Sequence, residues 1–499
     1  MILRGIEARL VTVQARFVSA EKGRAELQLL GLPDPVLRES RGRVAAALEE
    51  AGLRIPPGRL VLNLAPAGLP KSGESLDLPL ALAAAAAVGH LPARRLERGL
   101  FLGELGIDAR VRDVAGGFAA AELASRLGAA PLVAPPRTAA EAALLDGVDV
   151  REARRLGELV AWATDAEDLA RPPVADDAPK ASSEPRRLAT IRGQEVAKRA
   201  LAVAAAGAHP ILFYGPPGTG KSLLAHALVD LFGEPSLKVR VALTRVRSAA
   251  GDTPKSLVDV RPFRAPHHTT SFAGLIGGGS PPRPGEITLA HRGVLFLDEL
   301  PEFRRDVLEC LRQPLENGEV SIGRAGRHVA FPARFHLVAA MNPCPCGYQG
   351  HPTRPCRCGP RRIEAYRSRI SGPLLDRFDL RVEVGPPPAT AFEADDAATR
   401  LETAMELQAA VALARSRAHE RGQSVENAHI SARDLDRFAP LDEASTKLLG
   451  RIADRHGLSL RGVAALRRVA RTIADLAEST AGPTEAHFHE ALALRAELS

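Results

Sequence analysis

A single glycine-rich stretch limits what this chain can fold into. The segment Gly215-Pro-Pro-Gly-Thr-Gly-Lys-Ser222 fits the spacing G-x-x-x-x-G-K-[ST] at every required position, and an apolar run at 210–214 precedes it. The pattern predicts a buried strand, a turn whose N–H groups converge on phosphate oxygens, and a helix over 223–231. Lys221 is then expected to reach the β- and γ-phosphates, and Ser222 to hold Mg²⁺. The predicted nucleotide contacts are Gly215, Pro216, Pro217, Gly218, Thr219, Gly220, Lys221, Ser222 and Leu223.

A pair of adjacent carboxylates follows another apolar run. The segment Gly293-Val-Leu-Phe-Leu-Asp298-Glu299 predicts a buried strand that ends in two acids. Downstream of a phosphate-binding loop, Asp298 is expected to hold the Mg²⁺ shell and Glu299 to polarise the attacking water. An isolated pair of this kind would more often be two solvated acids. Together the two motifs predict a catalytic site for ATP and Mg²⁺.

Composition sets outer limits on the protein. The chain has 499 residues, of which 45% are hydrophobic, and this predicts about three globular domains. No apolar run reaches the ~18 residues of a membrane span, and the N-terminus lacks a signal-peptide profile. We therefore expect a cytoplasmic protein without a membrane partner. The net charge of +7 is compatible with a polyanionic partner, or equally with a GC-rich genome.

The order of patterns along the chain predicts three domains and a linker. Residues 1–168 alternate strand-like and helical runs, with strands near 9–13, 25–30, 59–64 and 100–103 and helices over 35–51, 75–88 and 118–127. Residues 169–186 are rich in Pro, Ser and charge, as in interdomain linkers. Residues 187–385 contain the nucleotide motifs. Residues 386–499 have a helical pattern that breaks at Gly422, Gly457 and Gly482-Pro483.

The first domain resembles the proteolytic domain of Lon proteases. The resemblance lies in Pro70-Lys-Ser-Gly-Glu-Ser-Leu-Asp-Leu-Pro79 and in the later segment 103–117. Ser75 occupies the position of that family's nucleophile, but the lysine base expected after Gly117 is missing. No spacing places Lys71 or Lys22 beside Ser75, and a serine without a base is a poor nucleophile. We therefore expect Ser75 to cap the following helix, and the domain to be a non-catalytic platform.

Further segments resemble AAA+ ATPases. Asn342, at the end of the apolar run 335–341, corresponds to the sensor-1 residue, which helps to orient the water near the γ-phosphate. Arg377 lies in a segment similar to an arginine-finger segment, which implies that it acts on the nucleotide of a neighbouring subunit in a ring. A surface ion pair with Asp376 or Asp379 is the alternative. Arg461, with Arg468 as substitute, lies on a helix that resembles the sensor-2 helix.

The full set of motifs resembles the ComM/YifB family of magnesium-chelatase-like AAA+ ATPases. Besides the segments above, this set includes Ile191-Arg-Gly-Gln-Glu-Val-Ala, Phe263-Arg-Ala-Pro-His-His-Thr-Thr-Ser and Val469-Ala-Arg-Thr-Ile-Ala-Asp. The implied fold class is α/β, with an N-terminal Lon-protease-like (ribosomal S5 domain 2-like) α/β domain, a central AAA+ P-loop domain and a C-terminal helical lid. The implied function is that of a homo-hexameric helicase that acts on single-stranded and branched DNA during transformation, with recombination proteins as further partners.

Two elements could contact DNA directly. Residues 319–332 predict a hairpin that carries Arg324 and Arg327 at its tip, and the resemblance implies that this hairpin faces the pore. The glycine-rich loop 261–279 contains Arg264, His267 and His268, which suit phosphate contact and base stacking. A packed structural loop explains the second element almost as well.

Four of the five cysteines fall within a short segment. Cys344, Cys346, Cys356 and Cys358 form two Cys-x-Cys turns that could converge on one tetrahedral Zn²⁺. Free thiols are the alternative, and His351 could replace one ligand. Cys310 lies in a helical pattern and is expected in a core.

The sequence leaves three functions open. The first is an ATP-driven DNA translocase. The second is a protein-remodelling motor similar to the ATPase subunit of magnesium chelatase. The third is an ATP-dependent protease, which the missing lysine makes the weakest.

Overall fold

The structure is a computed structural model that describes residues 1–31, 35–69, 71, 74–173, 183–279, 282–324, 327–387 and 396–496. We call residues 1–173 the N-terminal region, residues 183–387 the ATPase core and residues 396–496 the C-terminal helices. Part of the linker predicted at 169–186 lies outside the described residues.

Two three-stranded sheets, the antiparallel pairs β1–β2 and β7–β8, and helices form the described N-terminal region. In the first sheet the central strand β5 pairs antiparallel with β3 and parallel with β4, and a second, parallel sheet has the order β10-β9-β6. Leu60, Leu62 and Leu64 alternate along β5 and are fully buried, because every second side chain of a strand points to the same face. The elements are β1 Ile2–Arg4, β2 Glu7–Arg9, β3 Thr12–Ser19, β4 Ala25–Leu30, α1 Pro35–Glu50, β5 Gly58–Ala65, α2 Asp77–Ala87, α3 Ala93–Leu96, β6 Leu100–Phe101, β7 Glu104–Leu105, β8 Val111–Arg112, α4 Gly117–Leu127, β9 Leu132–Ala134, α5 Pro136–Ala142, β10 Val150–Glu152 and α6 Leu156–Ala163.

A five-stranded parallel sheet with the order β12-β15-β18-β11-β19 organises the ATPase core. Its strands β11 and β15 are buried at every residue, as expected for a parallel sheet covered on both faces. The elements are α7 Arg186–Thr190, α8 Glu195–Gly207, β11 Ile211–Tyr214, α9 Lys221–Ala227, α10 Leu237–Ala250, β12 Phe263–Arg264, α11 Phe272–Ile276, β13 Gly277–Gly278, β14 Arg283–Pro284, α12 Glu286–Leu289, β15 Val294–Leu297, α13 Arg305–Glu309, α14 Arg312–Asn317, β16 Glu319–Arg324, β17 Arg327–Pro332, β18 His336–Met341, α15 Pro360–Arg367, α16 Gly372–Leu375 and β19 Leu380–Glu383.

The hairpin predicted at 319–332 is confirmed. Strands β16 and β17 pair antiparallel from Glu319↔Pro332 to Arg324↔Arg327. Val320 and Phe331 anchor its base in the hydrophobic core that also contains residues of β15 and β18. The side chains of Arg324 and Arg327 lie outside the described part of the chain.

The C-terminal helices pack on the core through α17 and α20, which both contact α8. The predicted helix breaks are confirmed, because α17 ends before Gly422 and α19 ends before Gly457. A buried polar cluster joins this layer to the core: His209 Nδ1 lies 2.8 Å from Asp379 Oδ2 and His209 Nε2 lies 2.7 Å from Thr472 Oγ1. The elements are α17 Ala397–Glu420, α18 Leu435–Phe438, α19 Glu443–His456, α20 Leu460–Leu476 and α21 Glu485–Ala493.

The predicted fold class is confirmed, but the expectation for Ser75 is wrong. Helix α2 begins at Asp77, and its N-cap is Leu76 without a side-chain cap. The Ser75 hydroxyl instead donates to the carbonyl oxygen of Met1 at 2.9 Å. Lys71 is fully buried and its ammonium donates to the carbonyl oxygen of Pro66. Within the described residues no hydrogen bond joins Ser75 to Lys71, so the structure offers no serine–lysine pair.

Candidate nucleotide-binding site

The phosphate-binding loop connects β11 to α9 at the carboxyl end of the parallel sheet. Gly215 lies so close to β19 that a Cβ atom would stand 2.1 Å from the Val384 carbonyl oxygen. Gly220 has a φ of 91°, in the left-handed region, and caps α9, so that the next N–H groups point along the helix axis. Residues 217–223, together with Asp298, Glu299, Met341 and Asn342, line a cleft of about 390 Å³, whereas the predicted contacts Gly215 and Pro216 do not line it.

Lys221 lies at the base of this cleft. Its Nζ donates to the carbonyl oxygens of Gly215 at 2.7 Å and Pro216 at 2.8 Å, and lies 3.4 Å from Asn342 Oδ1. Burial lowers the pKa of Lys221 to about 8, although the charge of Asp298 acts in the opposite direction. A phosphate oxygen is a charged acceptor, so its bond to this ammonium is stronger than those of the two carbonyls.

Ser222 and Asp298 meet at the mouth of the cleft. Ser222 Oγ donates to Asp298 Oδ2 at 3.0 Å, so a hydroxyl and a carboxylate present oxygen ligands side by side. Mg²⁺ in nucleotide sites takes one or two protein oxygens and completes its shell with water and phosphate oxygens. The pair therefore fits Mg²⁺ bound together with a nucleoside triphosphate.

Glu299 adopts a backbone conformation that is rare for a residue other than glycine. Its φ and ψ are 51° and 47°, and its N–H donates to Asp298 Oδ1 at 2.9 Å. Such strain persists where the surrounding structure fixes it, and it is common in active sites. Glu299 Oε2 lies 3.6 Å from Nδ1 of His268, which the sequence suggested as a DNA contact. The structure thus places His268 beside the acid expected to activate water.

Arg377, predicted as an arginine finger, and Arg461, predicted on a sensor-2 helix, do not line this cleft. The Arg377 side chain is 7% exposed, and its Nη2 donates to Glu316 Oε1 at 2.5 Å. Arg461 also donates to Glu316, so one carboxylate holds both guanidinium groups. The alternative of a surface ion pair between Arg377 and Asp376 or Asp379 is wrong, because the arginine is buried and its carboxylate partner is Glu316. The substitute Arg468 donates to the carbonyl oxygen of Ile430 at 2.8 Å.

In the loop 261–279, the arginine suggested for DNA contact is paired with a carboxylate of the same chain. Arg264 makes two parallel hydrogen bonds with Glu286, at 2.6 and 2.7 Å. His267 is exposed, with Nδ1 2.9 Å from Thr269 Oγ1. Of the residues suggested for DNA contact in this loop, Arg264 therefore has its charge satisfied within the chain.

The four clustered cysteines converge. Their sulfur atoms all lie within 4.8 Å of one another, and Cys344 Sγ lies 3.4 Å from Cys346 Sγ and 3.6 Å from Cys356 Sγ. Backbone N–H groups of Tyr348 and Arg357 donate to Cys346 and lower its pKa to about 6. Four sulfurs at this spacing fit a tetrahedral ion with bonds of about 2.3 Å.

His351 and Cys310 lie outside this cluster of ligands. His351 Nδ1 accepts the backbone N–H of Thr353 at 3.2 Å and of Arg354 at 3.1 Å, so this nitrogen is occupied. Cys310 packs against the core and donates to the Val307 carbonyl oxygen, and burial raises its pKa to about 12.

Comparison with known proteins identifies the family. The profile described as "Magnesium chelatase, subunit ChlI" matches residues 187–392, "Subunit ChlI of Mg-chelatase" matches 17–138, and "Magnesium chelatase, subunit ChlI C-terminal" matches 401–495. The competence protein ComM of Haemophilus influenzae is 39% identical over 508 residues, which cover 99% of this chain and 96% of that protein. The chain belongs to the ComM/YifB family of magnesium-chelatase-like AAA+ ATPases.

Other relatives agree with this membership. The uncharacterized protein YifB of Escherichia coli is 38% identical over 502 residues, which cover 99% of this chain and 95% of that protein. The magnesium-chelatase 38 kDa subunit of Cereibacter sphaeroides is 29% identical over 225 residues, which cover 41% of this chain and 60% of that subunit. Membership in a family of AAA+ ATPases implies ATP and Mg²⁺, in accord with the chemistry of Lys221, Ser222 and Asp298. Within the described ranges, no helix combines the length and apolar character that crossing a bilayer requires.

Two residues with structural roles near the site, Gln194 and Glu316, were not predicted from the sequence. Gln194 Nε2 donates to the carbonyl oxygen of Gly385 at 2.7 Å and of Thr219 at 3.4 Å, and so ties the phosphate-binding loop to the end of β19. Its φ of 61° places it at the N-terminus of α8. The Gly193-Gln194 pair before a helical run was a turn signal that could have indicated this position. Glu316 gave no such signal, because its partners are distant in sequence.

Proposed function

We propose that this protein is a ring-forming, ATP-dependent DNA helicase that promotes branch migration during natural transformation and recombination. The observation that carries the proposal is the β16–β17 hairpin, whose base is anchored in the core beside the ATPase sheet and whose last strand pair is Arg324↔Arg327. The hairpin precedes β18 in the chain, and Asn342 follows β18, so this segment can transmit changes at the γ-phosphate to a bound strand. The similarity to a competence protein agrees with DNA as the substrate.

In the ATPase cycle, the chain's own residues bind and orient the reactants. The N–H groups after Gly218 and the Lys221 ammonium bind the phosphates, and Ser222 and Asp298 would hold Mg²⁺. Bound Mg²⁺ supplies charge that offsets the negative charge developing on the phosphates. Glu299 polarises the attacking water, and Asn342, 3.4 Å from Lys221 Nζ, orients it.

We further propose a closed homo-hexamer. Arg377 and Arg461 share Glu316 and lie outside the cleft of their own chain. In a closed ring this arginine pair lies at the subunit seam, where the neighbour's phosphate replaces Glu316 as the acceptor. Single-stranded and branched DNA, a cytoplasmic location and recombination proteins as partners are parts of the same proposal.

The experiment is branch migration of a synthetic Holliday junction, measured with DNA-stimulated ATPase turnover. We expect the wild type to move the junction and Lys221→Ala to fail. The double variant Arg324→Ala/Arg327→Ala should lose DNA stimulation, whereas Arg54→Ala, whose side chain is 81% exposed in the N-terminal region, should keep it. DNA affinity should fall steeply with salt if the hairpin binds phosphates. Junction movement that is absent from the wild type, or unaffected by the hairpin variant, would refute the proposal.

A protein-remodelling motor is the second candidate. The paired state of Arg264 and the likeness to a magnesium-chelatase subunit favour it. It predicts ATPase turnover that responds to a partner protein and not to DNA, so the same stimulation assay separates the two functions.

We infer that the cysteine cluster holds a structural Zn²⁺. The four sulfurs leave no open coordination position, as in structural zinc sites, and a Cβ atom on Gly347 in the same segment would lie 2.8 Å from Cδ of Pro217 in the phosphate-binding loop. Metal analysis of protein purified without chelator should give about one zinc per chain. Protein without metal and with four titratable thiols would show that the cysteines are free.

A further inference from the structure

A second polar cavity lies at the end of the sheet opposite to the phosphate-binding loop. It has a volume of about 260 Å³ and lies between the ATPase core and the C-terminal helices. The core contributes residues at the amino ends of β15 and β18, and the C-terminal helices contribute α17 and the segment after it. Its ionisable lining residues are Arg261, Arg292, Arg334, His336, Arg415, His419, Glu426 and His429. Four arginines therefore face one carboxylate.

Two of these arginines are fixed by the same aromatic ring. The Arg261 guanidinium lies 5.3 Å from the centre of the Phe232 ring, and that of Arg415 lies 5.0 Å from it. Arg415 donates from Nε and Nη2 to the Ala205 carbonyl oxygen, at 3.1 and 2.6 Å, and Arg261 donates from Nη1 to the Arg292 carbonyl oxygen at 2.7 Å. A guanidinium has five N–H donors, so each keeps donors beyond these bonds. Arg261 Nε and His336 Nδ1 are buried and have no hydrogen-bond partner among the described residues.

The positive charge is poorly compensated. Burial, together with the charges of Arg415 and Arg292, lowers the pKa of Arg261 to about 10, although the charge of Glu426 acts in the opposite direction. Burial also lowers the pKa of Arg415 to about 10. Glu426 lies 3.7 Å from Arg292 Nη1 and is the one carboxylate among the described lining residues, so it can offset the charge of one arginine only. Bringing like charges together away from water is costly unless an anion joins them.

We propose that this cavity is a second anion site, which binds the phosphate or pyrophosphate group of a small molecule. The cavity volume is several times the ~30 Å³ that a water molecule occupies in the liquid, so a group of this size fits. Arginine forks match the geometry of phosphate oxygens. Arg261, Arg292 and Arg334 come from the core and Arg415 from α17, so the anion bridges the core and the C-terminal helices. The site does not depend on the proposed action on DNA.

The test is calorimetric titration of the full chain with inorganic pyrophosphate. We expect two sites per chain in the wild type and one in Lys221→Ala, which lacks the ammonium of the phosphate-binding loop. In the Lys221→Ala background, Arg334→Gln and Arg292→Gln should each weaken the remaining site about tenfold, since each removes a charged donor. Arg334 is exposed, so its replacement is compatible with folding. Arg54→Gln in the same background is the matched control and should leave the affinity unchanged.

Three results would overturn the proposal. One is the loss of all pyrophosphate binding in Lys221→Ala, which leaves the phosphate-binding loop as the single anion site and does not affect the proposed function. Another uses a short single-stranded oligonucleotide as the probe. If Lys221→Ala binds this oligonucleotide but not pyrophosphate, and the added Arg334→Gln abolishes the binding, the cavity contacts nucleic acid. Unchanged affinity of the remaining site in both arginine variants would also contradict it, because the site that persists in Lys221→Ala would then lie elsewhere.

Discussion

Replacing Glu316 tests whether one carboxylate holds both Arg377 and Arg461. Its Oε1 accepts from Arg377, whose side chain is 7% exposed, and from Arg461, whose side chain is 46% exposed. Glu316→Gln keeps an acceptor oxygen but removes the charge. Glu316→Ala removes both and leaves the buried Arg377 without this partner.

The structure gives an expected order of effects. A hydrogen bond to a charged group is worth about 1 kcal/mol more than a neutral one, so Glu316→Gln should cost about 1–2 kcal/mol over two bonds. Removing one partner of a buried pair costs about 3–5 kcal/mol, and we expect the lower end for Glu316→Ala because Glu316 itself is half exposed. Glu302→Ala is the matched control: its carboxylate is 42% exposed and its partner Arg369 is 53% exposed. Exposed pairs of this kind contribute about 1 kcal/mol or less.

Thermal melting of the ATPase core in the full chain measures these differences. At roughly 2–4 °C per kcal/mol for a domain of this size, Glu316→Ala should lower the Tm by about 6 °C or more and Glu302→Ala by at most a few degrees. The double variant Glu316→Ala/Arg377→Met should recover part of the loss, because it removes the unpaired buried charge. Equal shifts for Glu316→Ala and Glu302→Ala, or no recovery in the double variant, would refute the reasoning.

Three further predictions follow from individual contacts. Burial lowers the pKa of His291 from 6.5 to about 3, so the unfolded chain binds the proton first as the pH falls below 6.5. Through this histidine, acidification to pH 5 should lower the free energy of unfolding by about 2 kcal/mol. Urea melts at pH 7.5 and 5 measure this loss, which His291→Gln should reduce. Gly347 has a φ of 84° and a Cβ there would lie 2.8 Å from Pro217 Cδ, so Gly347→Ala should raise the KM for ATP, whereas Gly350→Ala, with a φ of 74° and open space, should not. Cys356→Ser should lower the zinc content and Cys310→Ser should leave it unchanged, as metal analysis can show.

The sequence predicted those parts of the site whose determinants are local. The phosphate-binding loop, the strands that end at Asp298 and Asn342, and the hairpin at 319–332 each depend on contiguous residues. The structure accordingly has strand β11 before the loop and strands β15 and β18 before the two polar ends. The convergence of the four sulfurs also followed from short spacings.

Contacts between distant segments could not be predicted in this way. Glu316 bonds to residues 61 and 145 positions away. The cap expected at Ser75 is wrong for the same reason, because the Ser75 hydroxyl donates its hydrogen bond to the carbonyl oxygen of Met1, 74 positions away. A propensity describes what a side chain does among its neighbours in sequence, and a tertiary acceptor overrides it.

The pairing of arginines changes what a basic composition implies. The chain carries 66 Lys and Arg residues against 59 Asp and Glu, an excess that by itself suggests a polyanionic partner. Yet Arg264, Arg377 and Arg245 are each paired with a carboxylate of the same chain, so their charge is largely neutralised. The arginines around the second cavity, in contrast, outnumber its carboxylate four to one. Net charge therefore does not locate a binding surface in this protein, whereas the local balance of charges does. The hairpin tip and the second cavity are the two places where a phosphate-bearing partner should be sought.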